Sequence, residues 1–381
     1  VLAPPRLIER VVTLDDAALR SSAKADPAAF VTSAGDRLVV IDEVQRVPEL
    51  ILAVKATVDH QRRPGRFLLT GSADLLRVPG AEDSLAGRAE TITLAPLSQG
   101  EISGQFDDMI TALLAPGDVS ELSGWSTGVD RGDVVRALCA GGLPEAAGRD
   151  HRRRRAWIVD YVDRLMRRDA HEVTRAAPHR LRTSLELLAA NQAGELVIAH
   201  LARAIGVSEP TAAGYVDTLQ TLYLVARVPA WSRSLVNRRI NKPKTLVVDS
   251  AVAAALSSLG EAELLAPLGL NHLGGLLEGF VAAELLRQRA WSKTDFDLSH
   301  YRESGGVEVD LIATLPGGRA LGLEVKATTQ PTVRHFSGLS RLRDRLGADF
   351  AGGVVLHLGT KALAFGPGML ALPVPGLWGL H

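Results

Sequence analysis

The sequence contains one cysteine, Cys139, in 381 residues. A single thiol excludes an internal disulfide framework and any zinc site of the CxxC kind. It has no obvious base beside it and reads as a small buried apolar residue. No two histidines stand at metal-ligand spacing, and His300, beside Tyr301, reads as structural. No apolar run approaches the ~20 residues that span a bilayer, and no signal peptide opens the chain. A cytoplasmic bacterial protein without a membrane partner is the simplest reading. Net charge is absent too, with 43 basic against 43 acidic residues. Bulk charge therefore points to neither nucleic acid nor membrane. Lysine is scarce: there are seven, and none follows a glycine. A phosphate-binding loop of the GxxxxGK[ST] type needs that pair, because backbone N–H groups and the lysine together cradle the phosphates.

What is present suits two or three domains. Residues 38–41, Leu-Val-Val-Ile, form a β-branched run that ends in Asp42 and Glu43. A run without alternation reads as a strand covered on both faces, as in a parallel α/β sheet. Ligands of such sheets bind at the carboxyl ends of strands. Two acids there suit a hydrated Mg²⁺ and a water activated beside a phosphate. The plainer alternative is a solvated strand end or a helix cap by Asp42. Around this run, residues 11–16 read as a strand and 17–34 as a helix with a start signal at Pro27. A further helix is expected over 48–60 and a strand over 65–73. Residues 83–102 read as a loop, a strand and a Pro-Leu-Ser turn. Alternating strands and helices imply a parallel sheet with crossover helices.

Past a boundary near residue 130 the character changes. "GGLPEA", 141–146, offers a turn. Residues 151–169 form a basic amphipathic helix with Trp157, Ile158, Tyr161, Val162 and Leu165 on one face. Its arginines read as a solvated or partner-facing surface before they read as a DNA contact. Residues 183–227 have helix-turn-helix spacing, with a tight turn at Gly206 and Ser208 capping the second helix. Residues 228–248 supply a possible wing. The second helix offers Glu209, Thr211, Tyr215 and Asp217 but no Arg or Lys, which is poor for phosphate contact. Packing is favoured over DNA reading. Asp249 reads as an N-cap.

The last stretch reads as a helix over 274–291, strands over 298–302, 307–313, 320–326 and 352–359, and a Pro-rich tail. Asp310 lies in one strand. Glu324 and Lys326 share a face of the next through period-two geometry. Two carboxylates and an amine at one edge suit metal-assisted phosphodiester hydrolysis, with the acids holding Mg²⁺ or Mn²⁺ and the lysine positioning water. A cross-strand salt bridge is the structural alternative. The pattern resembles the PD-(D/E)xK nuclease core, although no proline precedes Asp310. Glu278 matches the acid that some branches place on the preceding helix, with Glu284 as its rival. The core also occurs in proteins without shown nuclease activity.

"LVVIDEVQRVPEL", "GRFLLTGSA", "SLAGR" and "LAPLSQGE", in this order, resemble a bacterial and archaeal family of AAA-type ATPases fused to a winged helix and a restriction-endonuclease-like domain. The resemblance covers essentially the whole chain. It implies a partial P-loop NTPase sheet over residues 1–130, a helical and winged-helix region over 131–270, and a PD-(D/E)xK nuclease-like α/β domain over 271–381. It implies ATP and Mg²⁺ as cofactors. Asp42 would hold Mg²⁺ through water, and Glu43 would polarise the attacking water. Thr70, Gly71 and Ser72 sit where the γ-phosphate is sensed. Arg88 would stabilise phosphoryl-transfer charge, in cis or across a subunit interface; its plain alternative is a surface salt bridge. DNA and a second copy of the chain are the implied partners.

The family's phosphate loop precedes the strand matched by residues 11–16, and the sequence begins at Val1 about where the helix after that loop should end. The expectation is half a nucleotide site. Three readings follow. One is an ATPase controlling a nuclease-like domain, and the second is a catalytically inactive DNA- or protein-binding regulator. The third is one partner of a toxin–antitoxin or defence locus, which gene neighbourhood would decide.

Overall fold

The computed structural model describes residues 8–32, 38–72, 85, 87–170, 176–232, 242–303 and 306–380. The chain divides into two compact units. The first takes residues 1–94, 163–181 and 214–223, and the second takes 95–162, 182–213 and 224–381.

The first unit is built on three parallel strands in the order β1 (Ile8–Thr13), β2 (Leu38–Asp42), β3 (Phe67–Leu69). The parallel sheet is as the alternation of elements implies. Strand β2 departs from the expectation of cover on both faces. Val39 and Ile41 are buried, whereas Leu38, Val40 and Asp42 are half-buried. The helix expected over 17–34 is two helices, α1 (Ala17–Ala25) and α2 (Pro27–Thr32). Proline has no N–H to continue the ladder, and the Asp26 carboxylate instead accepts from the Ala29 N–H at 2.9 Å. Asp16 caps α1 by accepting from the N–H groups of Ala18 and Leu19. Helix α3 (Glu49–His60) follows Pro48 and buries Leu50, Ile51 and Val54 against the sheet. Each such side chain contributes roughly 2 kcal/mol by leaving water. The strand expected within 83–102 is not found among the described residues. Ile92 and Leu94 are exposed there.

In the second unit, Ser98 and Glu101 form a capping box on the short helix α4 (Gln99–Ser103). Helix α5 (Arg131–Ala140) ends at "GGLPEA". Gly141 closes it at φ 65°, and Gly142 donates its N–H to Asp249 while its carbonyl accepts from the Leu97 N–H. A Cβ on Gly142 would lie 2.0 Å from the Leu97 carbonyl oxygen, so only glycine fits. Helix α6 (His151–Arg164) begins in this unit, and the π-helical turn that follows it, Leu165–Asp169, belongs to the first unit. Ile158 and Val162 are buried, and Trp157 stacks on Tyr161 at 5.1 Å. Helices α7 (Ile198–Ile205) and α8 (Glu209–Thr221) are separated by Gly206 in the left-handed region, and the Ser208 hydroxyl accepts from the Thr211 N–H. Helix α8 continues into the first unit. Strands β4 (Val225–Val228) and β5 (Lys244–Val247) then pair antiparallel. Asp249 caps helix α9 (Ser250–Leu256), as its position suggests.

Helix α10 (Leu270–Gln288) is central to the second unit. Leu273, Leu277, Phe280, Val281 and Leu285 on it are fully buried, and so are Glu284, Arg287 and Gln288. Around Glu284, Arg287 and Gln288 the helix is buried on nearly every side, so these three must find partners inside. Six strands follow in the order β10 (Leu363–Ala364), β11 (Met369–Pro373), β9 (Phe350–His357), β8 (Ala320–Lys326), β7 (Glu308–Thr314), β6 (Asp297–Arg302). Strands β6, β7 and β8 are antiparallel neighbours, and β8, β9 and β11 run parallel. The β8 to β9 crossover is helix α11 (Ser337–Leu346), which packs Leu339 and Leu342 on the sheet. The Pro-rich tail is thus partly a strand. Pro373 is tolerated as the last residue of β11, where a missing N–H costs least.

Candidate functional site

Two groups of chemically capable side chains stand out, one in each unit. In the first unit, Asp42 is the last residue of the central strand β2. The Thr70 hydroxyl, just past β3, donates to Asp42 Oδ1 at 2.5 Å. The next residue, Glu43, adopts left-handed backbone angles, φ 59° and ψ 40°. A non-glycine residue there carries strain of roughly 1–3 kcal/mol, which persists only where the surroundings impose it. Here the Val44 N–H binds the Thr70 carbonyl and the Arg46 N–H binds the Glu43 carbonyl, each at 3.0 Å. The turn swings the Glu43 carboxylate toward Gln45, whose amide donates to Glu43 Oε2 at 2.5 Å and to Ser72 Oγ at 3.1 Å. Asp42, Glu43, Thr70 and Ser72 therefore lie in one linked edge. Gly71 lies between the two hydroxyl residues of that loop.

Arg88 is placed otherwise. Its guanidinium forks onto Asp59 near the end of α3, at 2.6 and 3.1 Å. The hydrogen bond from Arg88 holds the Asp59 carboxyl below its usual range. This is the ion pair of the plain alternative, and a role for Arg88 in phosphoryl transfer stays a proposal.

The oxygen donors of this edge fit a magnesium ion, which keeps most of its waters and takes one or two carboxylates plus phosphate oxygens. Asp42 and Glu43 are the carboxylates, with the Thr70 and Ser72 hydroxyls beside them. No lysine follows a glycine in this sequence, so the cradle for the phosphates is not among these residues.

In the second unit, Asp310 on β7 and Glu324 and Lys326 on β8 come together. Lys326 Nζ lies 2.5 Å from Glu324 Oε1 and 3.6 Å from Asp310 Oδ2. The Val325 N–H donates to Asp310 Oδ2 at 2.8 Å. Glu278 of α10 joins through a residue not singled out in the sequence, Lys244, the first residue of β5. Lys244 Nζ lies 2.7 Å from Glu278 Oε1, 2.8 Å from Glu308 Oε1 and 3.9 Å from Asp310 Oδ1. Burial and the nearby Asp310 charge push the Glu278 carboxyl up, against the pull of Lys244. Burial and Asp310 likewise raise Glu324, against Lys326. Burial disfavours the Lys244 charge, but Glu278 and Asp310 outweigh it and keep the ammonium protonated. Four carboxyl groups thus face two ammonium groups, and the upward shifts of Glu278 and Glu324 are in the direction that imbalance favours.

This set does not fit a divalent ion. Among the described residues no group of three or more His, Cys, Asp or Glu side chains is disposed to hold a metal. The physical reason lies in the ammonium groups, which occupy the space between the carboxylates. The expected metal ligands Glu278, Asp310 and Glu324 are instead lysine partners. The rival acid Glu284 is elsewhere. It is fully buried, pairs with Arg287 and accepts from the Gln99 N–H at 2.9 Å, so it caps α4. His300 is structural: Nε2 meets the Lys242 carbonyl at 3.1 Å, and burial lowers its pKa.

Residues 8–103 match the family model described as an AAA domain. That match supports an AAA-type ATPase family for the stretch carrying Asp42, Glu43, Thr70, Ser72 and Arg88. Residues 131–263 match a domain of unknown function, DUF8612, and residues 273–377 match another, DUF4143. Similar proteins include an uncharacterized protein of Mycobacterium tuberculosis and one of Mycobacterium bovis, each 29% identical over 298 residues. The match covers 78% of this chain and 60% of each relative, so the chain spans about three-fifths of the curated relatives' length. Among solved structures, the Walker-type ATPase of Pyrococcus abyssi aligns at 16% identity over 61% of this chain and 66% of its own, with a TM-score of 0.30. A score that low carries no argument about fold.

Three residues of these sites escape a reading by motif. Gln45 lies inside "DEVQR" but has no charge to draw notice. Glu308 stands two residues before Asp310, the spacing that puts both on one face of β7. Lys244 opens the apolar run "KTLVV", where a buried lysine demands an acidic partner; that was the available signal.

Proposed function

We propose that this chain is an ATPase-like protein whose AAA domain carries the metal and water-activating edge of an ATP site. The observation that carries the reading is the linked edge at the end of the central parallel strand. Asp42 is bonded to Thr70, and Glu43 is bonded through Gln45 to Ser72. In the reaction, Asp42 would hold Mg²⁺ through water, and the bound ion would neutralise phosphate charge. Glu43 would accept the proton of the attacking water. Its strained turn and the Gln45 amide fix where that carboxylate points, and Ser72 and Thr70 would meet the terminal phosphate.

The finer reading is that ATP state governs a C-terminal domain of restriction-endonuclease-like topology. Its support is the order helix, three antiparallel strands, helix, parallel strand, over α10, β6, β7, β8, α11 and β9. A winged-helix module is supported by α7, α8, β4 and β5 in sequence. DNA or protein is the partner such a module would bind, and self-association follows from the family resemblance. The C-terminal carboxylates paired to lysine favour a second reading for that domain, a binding regulator rather than a nuclease.

The test uses the protein expressed from its own locus with the upstream DNA in place. Mg·ATP hydrolysis is compared for wild type, Asp42→Asn and Glu43→Gln. A positioned general base contributes roughly 10²–10⁴-fold, so Glu43→Gln should bind ATP and lose at least about a hundredfold in rate. Hydrolysis unchanged by either substitution, or wild type that binds no ATP, would sink the reading.

A further inference from the structure

Lys244 is in an unusual setting for a lysine. Its side chain is 5% exposed, and its Nζ faces Glu278, Glu308 and Asp310 at 2.7, 2.8 and 3.9 Å. These residues come from α10 and from two positions on one face of β7. Carboxylates converging from separate elements on one point supply what a divalent cation's oxygen shell needs. Here the point is taken by an ammonium. We propose that Lys244 is the built-in cation of this cluster, so that wild-type protein takes no Mg²⁺ or Mn²⁺ there, and that removing the ammonium opens a divalent-cation site.

Two observations support the occupancy. Strand β5 is held on both sides of Lys244. Lys244 pairs with Val228 in the β4 ladder, the Leu196 N–H binds the Pro243 carbonyl at 2.8 Å, and Glu195 bridges to Lys244. That pairing fixes the backbone from which the side chain reaches the carboxylates. On the far side, Lys326 and the Val325 N–H already engage Asp310 Oδ2, and Lys326 engages Glu324 Oε1. An ion entering between the carboxylates would meet ammonium charge on both sides with little water to screen it. The residue pattern of a metal-dependent nuclease is therefore present with its cation replaced by a side chain.

Electron paramagnetic resonance of Mn²⁺ with the full chain counts bound ions. Wild type and Asp310→Asn should bind the same number, because wild type has no ion here to lose. Lys244→Met should bind one Mn²⁺ more than wild type, and adding Asp310→Asn should abolish it. An ion lost in Asp42→Asn instead reports the N-terminal edge and is subtracted. The proposal is overturned if wild type holds an Mn²⁺ that Asp310→Asn releases, or if Lys244→Met binds no more than wild type. Should Lys244→Met not fold, Lys244→Gln serves for the count, and the comparison of wild type with Asp310→Asn depends on neither variant.

Discussion

Glu284→Gln separates the charge of a buried acid from its packing. Glu284 is wholly inside, and burial pushes its carboxyl up to about 7 even though Arg287 and the Gln99 N–H favour the carboxylate. In the unfolded chain it titrates near 4.3, a roughly ordinary glutamate. The folded state therefore keeps the proton to higher pH. The group costs no stability below about pH 4, and its cost grows as pH rises through about 7. Between pH 5 and pH 8 that cost is roughly 2–3 kcal/mol. Glutamine keeps the shape and an acceptor for the Gln99 N–H but cannot titrate. All five tryptophans lie in the second unit, so tryptophan fluorescence during urea unfolding reports the unit that holds Glu284. Wild type should lose roughly 2–3 kcal/mol more than Glu284→Gln between those two pH values, with the same urea dependence. Parallel losses in the two proteins would refute the reasoning and mean that Glu284 is ionised in the fold across the range.

Asp249→Ala should be among the most damaging substitutions in the second unit. Its carboxylate accepts from the N–H groups of Gly142, Ala251 and Val252 at 2.7, 3.0 and 3.1 Å. Leaving those buried donors unmet costs about 3–5 kcal/mol, read as a lower urea midpoint, and Asp249→Asn should recover part of it. The Cys139 thiol, pushed up to about 12 chiefly by burial, should resist Ellman's reagent at pH 8 in the folded protein and react at once in urea. Fast labelling of folded protein would mean the residue is more open than the structure has it.

Local chemistry was readable from the chain alone. The apolar run before Asp42, the Gly206 turn with Ser208, and the Asp249 cap each depend on neighbours a few positions away. Their elements appear where the residues place them. Period-two spacing put Glu324 and Lys326 on one face of β8, because strand geometry admits nothing else. The residues also showed which groups had chemistry to offer.

Their partners were decided by tertiary structure. Over 17–34 the start signal at Pro27 was legible, but not the division into two helices around Asp26. Residues 91–94 have strand composition but no strand partner among the described residues, and a strand is made by its neighbour as much as by its own side chains. Glu284 and Glu278 stand on the same helix, both beside its apolar face, and nothing local tells them apart. One meets the start of α4 and the other meets Lys244. The lysine that fills the carboxylate cluster lies 34 positions from Glu278 in sequence. Its role comes from the antiparallel pairing of β5 with β4, which no short-range pattern encodes. Composition and spacing determined which acids this protein could use; the packing of distant strands determined that one set faces the end of a parallel sheet and the other faces an ammonium.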